Sequence, residues 1–238
     1  MIDLICLIAV FSVIAPLDPP RLPQFKQTKR AYDKFKQKKE FIIPTRHPDE
    51  VMAYLKKNKL DKDVKIISYE LDKGFNVSKA LNLGVANSKY GNIIITSPEV
   101  LPLTPVLDQL ELCLGENIVC QVFDEDEHGD RSFSLVNDIF RSSTPAMYFL
   151  AMFNKADIEF INGWDEEFLK GYAYEDDDFG ARWVRAQIPF KVREDIQAVH
   201  QYHPRLETVP GGTDINNRHY MENSANGVIS CSNGLIKK

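Results

Sequence analysis

Cysteine is scarce in this chain of 238 residues, and none of the four, Cys6, Cys113, Cys120 and Cys231, stands in a CxxC pair. That excludes a compact disulfide framework and leaves reduced thiols, mostly in the core. A glycine-rich phosphate loop and a G-x-S-x-G elbow are both missing, which removes the P-loop NTPases and the α/β-hydrolases. There is no internal repeat and no low-complexity tract. Positive charge is not in excess: 29 Lys and Arg stand against 34 Asp and Glu, for a net charge of −5. Such a balance gives no general electrostatic reason to bind nucleic acid or an acidic membrane surface. The longest apolar run, MIDLICLIAVFSVIAP, falls short of the ~20 residues of a spanning helix. It carries Asp3 where a secretory leader has Lys or Arg, and it shows no clear small-residue cleavage site. The expectation is a buried parallel strand, apolar on both faces, with secretion the minority alternative and no membrane span.

What is present is the composition of a globular protein, 44% hydrophobic and 26% charged, long enough for a single α/β domain. Prolines 16, 19, 20 and 23 mark a loop, and QFKQTKRAYDKFKQKK has the spacing of a surface helix. KEFIIPT reads as a strand, HPDEV as a helix start, VKIISYEL as a strand, FNVSKALNLGVANSKY as a helix and NIIITSPEV as a strand again. Strands alternating with helices predict a doubly wound, mostly parallel sheet with helices on its faces, and place ligands at the carboxyl ends of the strands. The loops after Phe11, Pro44, Tyr69 and Ile95 should therefore face the site. LTPVLDQLELCLGE predicts an amphipathic helix closed by Gly115, and NIVCQVF a further strand. DEDEHGD, residues 124 to 130, lacks the alternation and closing Glu of a calcium loop and reads as a solvated hairpin tip.

The densest chemistry lies in GYAYEDDDFGARW, residues 171 to 183, where four acids run from Glu175 to Asp178. Acids at a helix start complement the positive end of the helix dipole, so this cluster alone fits a solvated first turn as well as a site. Its neighbours weigh in. FNVSKALNLGVANSKYGNIIITSPEVLP, residues 75 to 102, INGWDEEFLKGYAYEDDDFGARW, residues 161 to 183, and AVHQYHP, residues 198 to 204, together resemble GT-A-type glycosyltransferases. The second stretch is similar to the acceptor-side motif of the β-1,4-galactosyltransferase family and related family-two enzymes.

The resemblance implies a GT-A fold over residues 1–238, with a nucleotide-binding half at 1–100, an acceptor-binding half at 101–207 and a C-terminal loop or tail at 208–238. It implies transfer of a hexose or N-acetylhexosamine from a UDP-sugar to a sugar hydroxyl, with inversion. Asp176 would be the catalytic base, and Glu175, Asp177, Tyr172, Trp164 and Gly163 would bind the acceptor. An aromatic at a turn often only packs, which is the preferred role for Trp164, whereas Tyr172 is read as a sugar contact. Thr45, Arg46, Ser97 and Asn82 would serve the donor, as would the strand end at Ala9 to Ser12. Where the family has Asp-x-Asp this chain has Ser97-Pro98-Glu99, so cation binding shifts to Glu99 with His200 and His203. Two imidazoles and a carboxylate suit Mn²⁺ or another first-row divalent cation. Counting strands back from Ser97 makes the N-terminal run the first strand and FIIPT the second. The unpaired cysteines tilt the expectation to a cytoplasmic, bacterial or viral setting. Two alternatives stay open: a degenerate relative that binds nucleotide or glycan without turnover, and a structural module.

Overall fold

The computed structural model describes residues 10–70, 76–134, 147, 149–171, 173–204 and 212–236. The first strand, β1 (Val10–Ile14), sits inside the sheet with Phe11, Val13 and Ile14 fully buried, as an apolar strand covered on both faces should. It pairs in parallel with β2 (Lys38–Thr45), and β2 with β3 (Val64–Ser68). On its other side β1 pairs in parallel with β4 (Asn92–Thr96). Three strands therefore precede the strand that leads into Ser97-Pro98-Glu99, as the count from the sequence expects.

Between the strands lie α1 (Leu22–Tyr32), α2 (Pro48–Lys57) and α3 (Val77–Ala86). Local chemistry sets their ends. Pro48 opens α2 with Asp49 and Glu50 behind it, while Lys56 and Lys57 close it, an ordering that matches the helix dipole. Asn76 caps α3 by accepting from the Lys79 amide at 2.8 Å. Gly84 lets α3 approach β1, since a Cβ there would lie 2.4 Å from Ile14 Cγ2.

The second half extends the sheet. β8 (Leu150–Asn154) runs antiparallel to β4, β6 (Ile118–Glu125) antiparallel to β8, and β9 (Lys191–His200) parallel to β6. Two reversals restore the direction, so β1 to β4, β6 and β9 all end on one edge. The short β5 (Val100–Pro102) lies outside β9, and β7 (Arg131–Ser134) pairs with β6. The nine-stranded order is β3-β2-β1-β4-β8-β6-β9-β5, with β7 off this path. The 126–130 turn between β6 and β7 is the expected hairpin tip, where Asp126 accepts from the His128 and Asp130 amides. The remaining helices are α4 (Val106–Glu111), α5 (Lys155–Phe160), α6 (Glu175–Arg185) and α7 (Gly212–Ala225).

Two expectations need correction. β1 runs on to Ile14, so Ser12 is a mid-strand residue whose hydroxyl donates to Glu40 at 2.7 Å. The carboxyl end of that strand leads instead into the stretch reaching Asp18, while Ala9 lies outside the described residues. The C-terminal stretch is also no loose tail. Residues 212–236 form α7 and a coil that packs under the acceptor-side turn: Asn162 Nδ2 donates to Cys231 O and Ile236 O, both at 2.8 Å, and Asn223 Nδ2 donates to Asp178 Oδ1 at 2.9 Å. Cys113, Cys120 and Cys231 are buried free thiols, and no described helix is long and apolar enough to cross a membrane.

Candidate active site

Glu99 follows β4, His200 ends β9, and His203 lies three residues beyond, so the shared edge of the parallel strands brings them together. One ligand atom from each lies within 4.8 Å of the others. Glu99 Oε1 is 3.2 Å from His200 Nε2 and 3.3 Å from His203 Nε2. The far ring nitrogens are engaged elsewhere: His200 Nδ1 meets Asp124 Oδ1 at 3.1 Å, and His203 Nδ1 meets the Pro204 carbonyl at 3.0 Å. Both rings thus present Nε2 to the same carboxylate. Arg21 Nε stands 3.9 Å from Glu99 Oε1.

The electrostatics follow from that crowding. Burial alone would raise the Glu99 carboxyl, but the two imidazoles beside it win and hold it down at about 2. His203 is raised above the ordinary imidazole value, chiefly by Glu99, against the effect of its own burial. Among the described residues, Glu99 Oε2, buried in this cluster, has no hydrogen-bond partner. Native interiors rarely leave such atoms unsatisfied without an ion, water or function to explain them. A site of two imidazoles and one carboxylate with an unspent oxygen fits a first-row divalent cation.

The acidic cluster divides in two. Asp178 is fully buried, accepts from Arg182 Nε at 2.6 Å and binds Asn223 of α7, so it anchors the helix. Glu175, Asp176 and Asp177 are partly buried on the first turn. Burial raises Glu175 and Asp176 above the carboxylate range, and the neighbouring acids add to the effect. The chain enters this turn through two left-handed residues in succession, Ala173 at φ 62° and Tyr174 at φ 70°. Non-glycine residues seldom adopt that conformation, and it persists only where surroundings enforce it. Asn216 of α7 supplies the restraint by donating to Phe168 O at 3.0 Å and Ala173 O at 2.7 Å. α6 leads through residues 186–190 into the start of β9, at the end of that strand opposite His200.

The other expected site residues fare differently. Trp164 is 1% exposed and stacks on Phe179 with centroids 4.1 Å apart, so its ring faces belong to the core and not to a sugar. Asn82 is likewise committed: Nδ2 donates to Trp164 O at 2.8 Å, and Oδ1 accepts from Trp164 N at 2.9 Å. It fastens the 162–166 turn to α3 and is removed from the donor set. Gly163 has φ +69°, and a Cβ there would lie 2.4 Å from Asn82 Oδ1, so its glycine serves this lock, not acceptor binding. Thr45 is buried at the end of β2, and its hydroxyl accepts from the His47 amide at 3.1 Å. Ser97 is buried and turns the chain out of β4, its carbonyl accepting from the Val100 amide. Arg46 does reach the carboxyl edge, where it pairs with Asp18 at 2.6 Å. Tyr172 lies outside the described residues.

Residues that the sequence reading passed over join the site. Asp18 Oδ1 and the Tyr69 hydroxyl are buried polar atoms without hydrogen-bond partners, at the ends of β1 and β3. Asp124 had been absorbed into the hairpin tip, although it still belongs to β6.

The core role of Trp164 gives a direct expectation. Trp164→Ala should cost about 3–5 kcal/mol of stability, the usual range for emptying a buried large aromatic, and appear as a lowered unfolding midpoint. An equally stable variant with only weakened acceptor binding would restore the sugar-platform role.

A family model described as the N-terminal domain of galactosyltransferase matches residues 133–204, a span that contains the acidic motif and both histidines. No curated protein matches the chain in sequence. Among solved structures, S. aureus TarS is similar, with a TM-score of 0.66 and 13% identity, over 92% of this chain and 41% of that one. S. aureus TarS 1-349 in complex with UDP-GlcNAc gives a TM-score of 0.66 at 12% identity, covering 93% of this chain and 70% of that one. The mannosyltransferase PcManGT from Pyrobaculum calidifontis, in complex with GDP-Man and Mn²⁺, gives 0.57 at 14% identity, over 89% and 61%. The chain spans about two fifths of the longer TarS chain. At such identities the likeness speaks for the fold, and the fold is GT-A, as the sequence resemblance implies.

Proposed function

We propose that this chain, built on the GT-A glycosyltransferase fold, moves a hexose or N-acetylhexosamine from a nucleoside-diphosphate sugar to a sugar hydroxyl. The observation that carries the proposal is the convergence of Glu99, His200 and His203, with ligand atoms within 4.8 Å of one another and Glu99 Oε2 unspent, past the carboxyl ends of β4 and β9. Similar chains hold UDP-GlcNAc and GDP-Man, and UDP is the nucleotide we favour. A reducing compartment suits the buried free thiols.

In this reading the acceptor hydroxyl lies against Asp176, whose carboxylate takes its proton as the oxygen attacks the anomeric carbon. The bond from that carbon to the diphosphate breaks on the opposite face, the nucleoside diphosphate leaves, and configuration inverts. Glu175 and Asp177 orient acceptor hydroxyls, and Asn216 keeps the turn in place through Ala173. A divalent cation held by Glu99, His200 and His203 supplies charge neutralisation for the leaving diphosphate. Arg21, beside Glu99, adds a fixed positive charge there. Asp18 Oδ1 and the Tyr69 hydroxyl offer an acceptor and a donor to the nucleoside at the ends of β1 and β3.

The raised Asp176 carboxyl fits a base working near neutral pH, where its proton affinity is useful. A base must be ionised to act, so activity rises with pH. The rising limb should lie above the ordinary carboxylate value of about 4. Release of UDP from UDP-sugars, measured against a panel of saccharide acceptors across pH, tests both points. No acceptor-dependent release from any donor would favour the degenerate alternative, which the Ser97-Pro98-Glu99 sequence keeps in play. A limb at the ordinary carboxylate value would remove Asp176 from the base role.

A further inference from the structure

We infer that Asp124 is the positioning residue of the cation site: it holds His200 by Nδ1 and so commits Nε2 to the ligand set. The inference rests on the metal reading above and deepens it. Asp124 and His200 are register partners on the parallel strands β6 and β9. Their side chains leave the same edge side by side, and Asp124 Oδ1 comes to 3.1 Å from His200 Nδ1.

The chemistry is directional. An imidazole offers a cation the lone pair of one nitrogen, so its proton must sit on the other. His203 solves this within its own loop, where the Pro204 carbonyl accepts from Nδ1 and cannot donate in return. His200 ends a strand, and among the described residues its Nδ1 meets Asp124 in place of a carbonyl. A carboxylate is also an acceptor only, so once a cation takes Nε2 in place of the contact with Glu99, Asp124 holds the proton on Nδ1 and strengthens the electron density at Nε2. The edge contact of the Phe149 ring, with centroids 5.6 Å apart, braces the imidazole from the side. The two histidines are therefore prepared by different devices, one by main chain and one by Asp124. The acid at position 124 thus works apart from the exposed tip at 126 to 130.

The test uses Mn²⁺ alone, titrated into the full chain without nucleotide and followed by the electron paramagnetic signal of the free ion. Asp124→Ala should weaken Mn²⁺ binding by about 10–100-fold, the usual effect of losing the partner of a ligating imidazole. Asp124→Asn should lose less, because its amide oxygen still accepts from Nδ1–H and its shape is kept. Glu127→Ala, which removes an exposed charge from the same hairpin, should bind as the unaltered chain does. Imidazole nitrogen NMR should show His200 with its proton on Nδ1 in the cation-loaded protein, and a mixture of tautomers in the cation-free Asp124→Ala protein. Equal affinity in folded Asp124→Ala would overturn the inference, as would an equal loss in Glu127→Ala. If the unaltered chain takes up no Mn²⁺, the metal reading fails and the inference falls with it. Uptake by the unaltered chain with insensitive Asp124 variants sinks the inference alone.

Discussion

Asp176→Asn should abolish transfer and at the same time make the protein more stable at neutral and alkaline pH. The first effect follows from loss of the base, worth typically 10²–10⁴ in rate. The second separates a site from an ordinary helix start. At an ordinary first turn a carboxylate gains about 0.3–1 kcal/mol from the dipole, and its amide loses that gain. Here the folded-state values of Glu175 and Asp176 are raised, by burial first and by neighbouring acids second. The sign is then fixed. A carboxyl whose folded value is raised contributes stability fully below its unfolded value near 4, and that contribution is lost as pH rises through the raised value. At pH 8 the cluster holds charges that the fold resists, and the amide relieves one of them. Thermal unfolding of both proteins at pH 5 and pH 8 reads the difference. A variant that is inactive and less stable at pH 8 would mark Asp176 as a capping acid.

Glu99→Ala should abolish both cation binding and cation-dependent activity. Glu99 is the one carboxylate in the cluster and touches both imidazoles, so two histidines without it make a poor site. A cation on the leaving diphosphate is worth several kcal/mol, which corresponds to a loss on the order of a thousandfold in turnover. Removal of the cation by EDTA should reproduce the loss in the unaltered protein and leave the variant where it was. Activity in the variant that still responds to Mn²⁺ would place the cation elsewhere.

Much of the fold was legible because its signals are local. Strands buried on both faces read as apolar runs, and Asn76 and Pro48 announce their helices. The acidic turn and the two histidines stand out in sequence through their resemblance to a family motif, since acids at a helix start are in themselves ordinary. What stayed hidden is long-range. Asn82 looks like a site residue in sequence, yet it is consumed by the main chain of Trp164 across 82 positions. Asp124 looks like part of a polar tip until register with β9 sets it beside His200. The tail reads as loose in sequence because its anchoring contacts are polar and distant: Asn216 donates to Phe168 O and Asn223 to Asp178, more than forty positions away. The end of β1 was misjudged because a uniformly apolar run carries no mark of where pairing stops.

The most direct test is a calorimetric titration of UDP into the purified protein, with Mn²⁺, with EDTA, and with Mn²⁺ on Glu99→Ala. The account predicts binding that requires Mn²⁺ and vanishes in the variant. No UDP binding in the presence of Mn²⁺, or binding indifferent to both EDTA and Glu99, would contradict it.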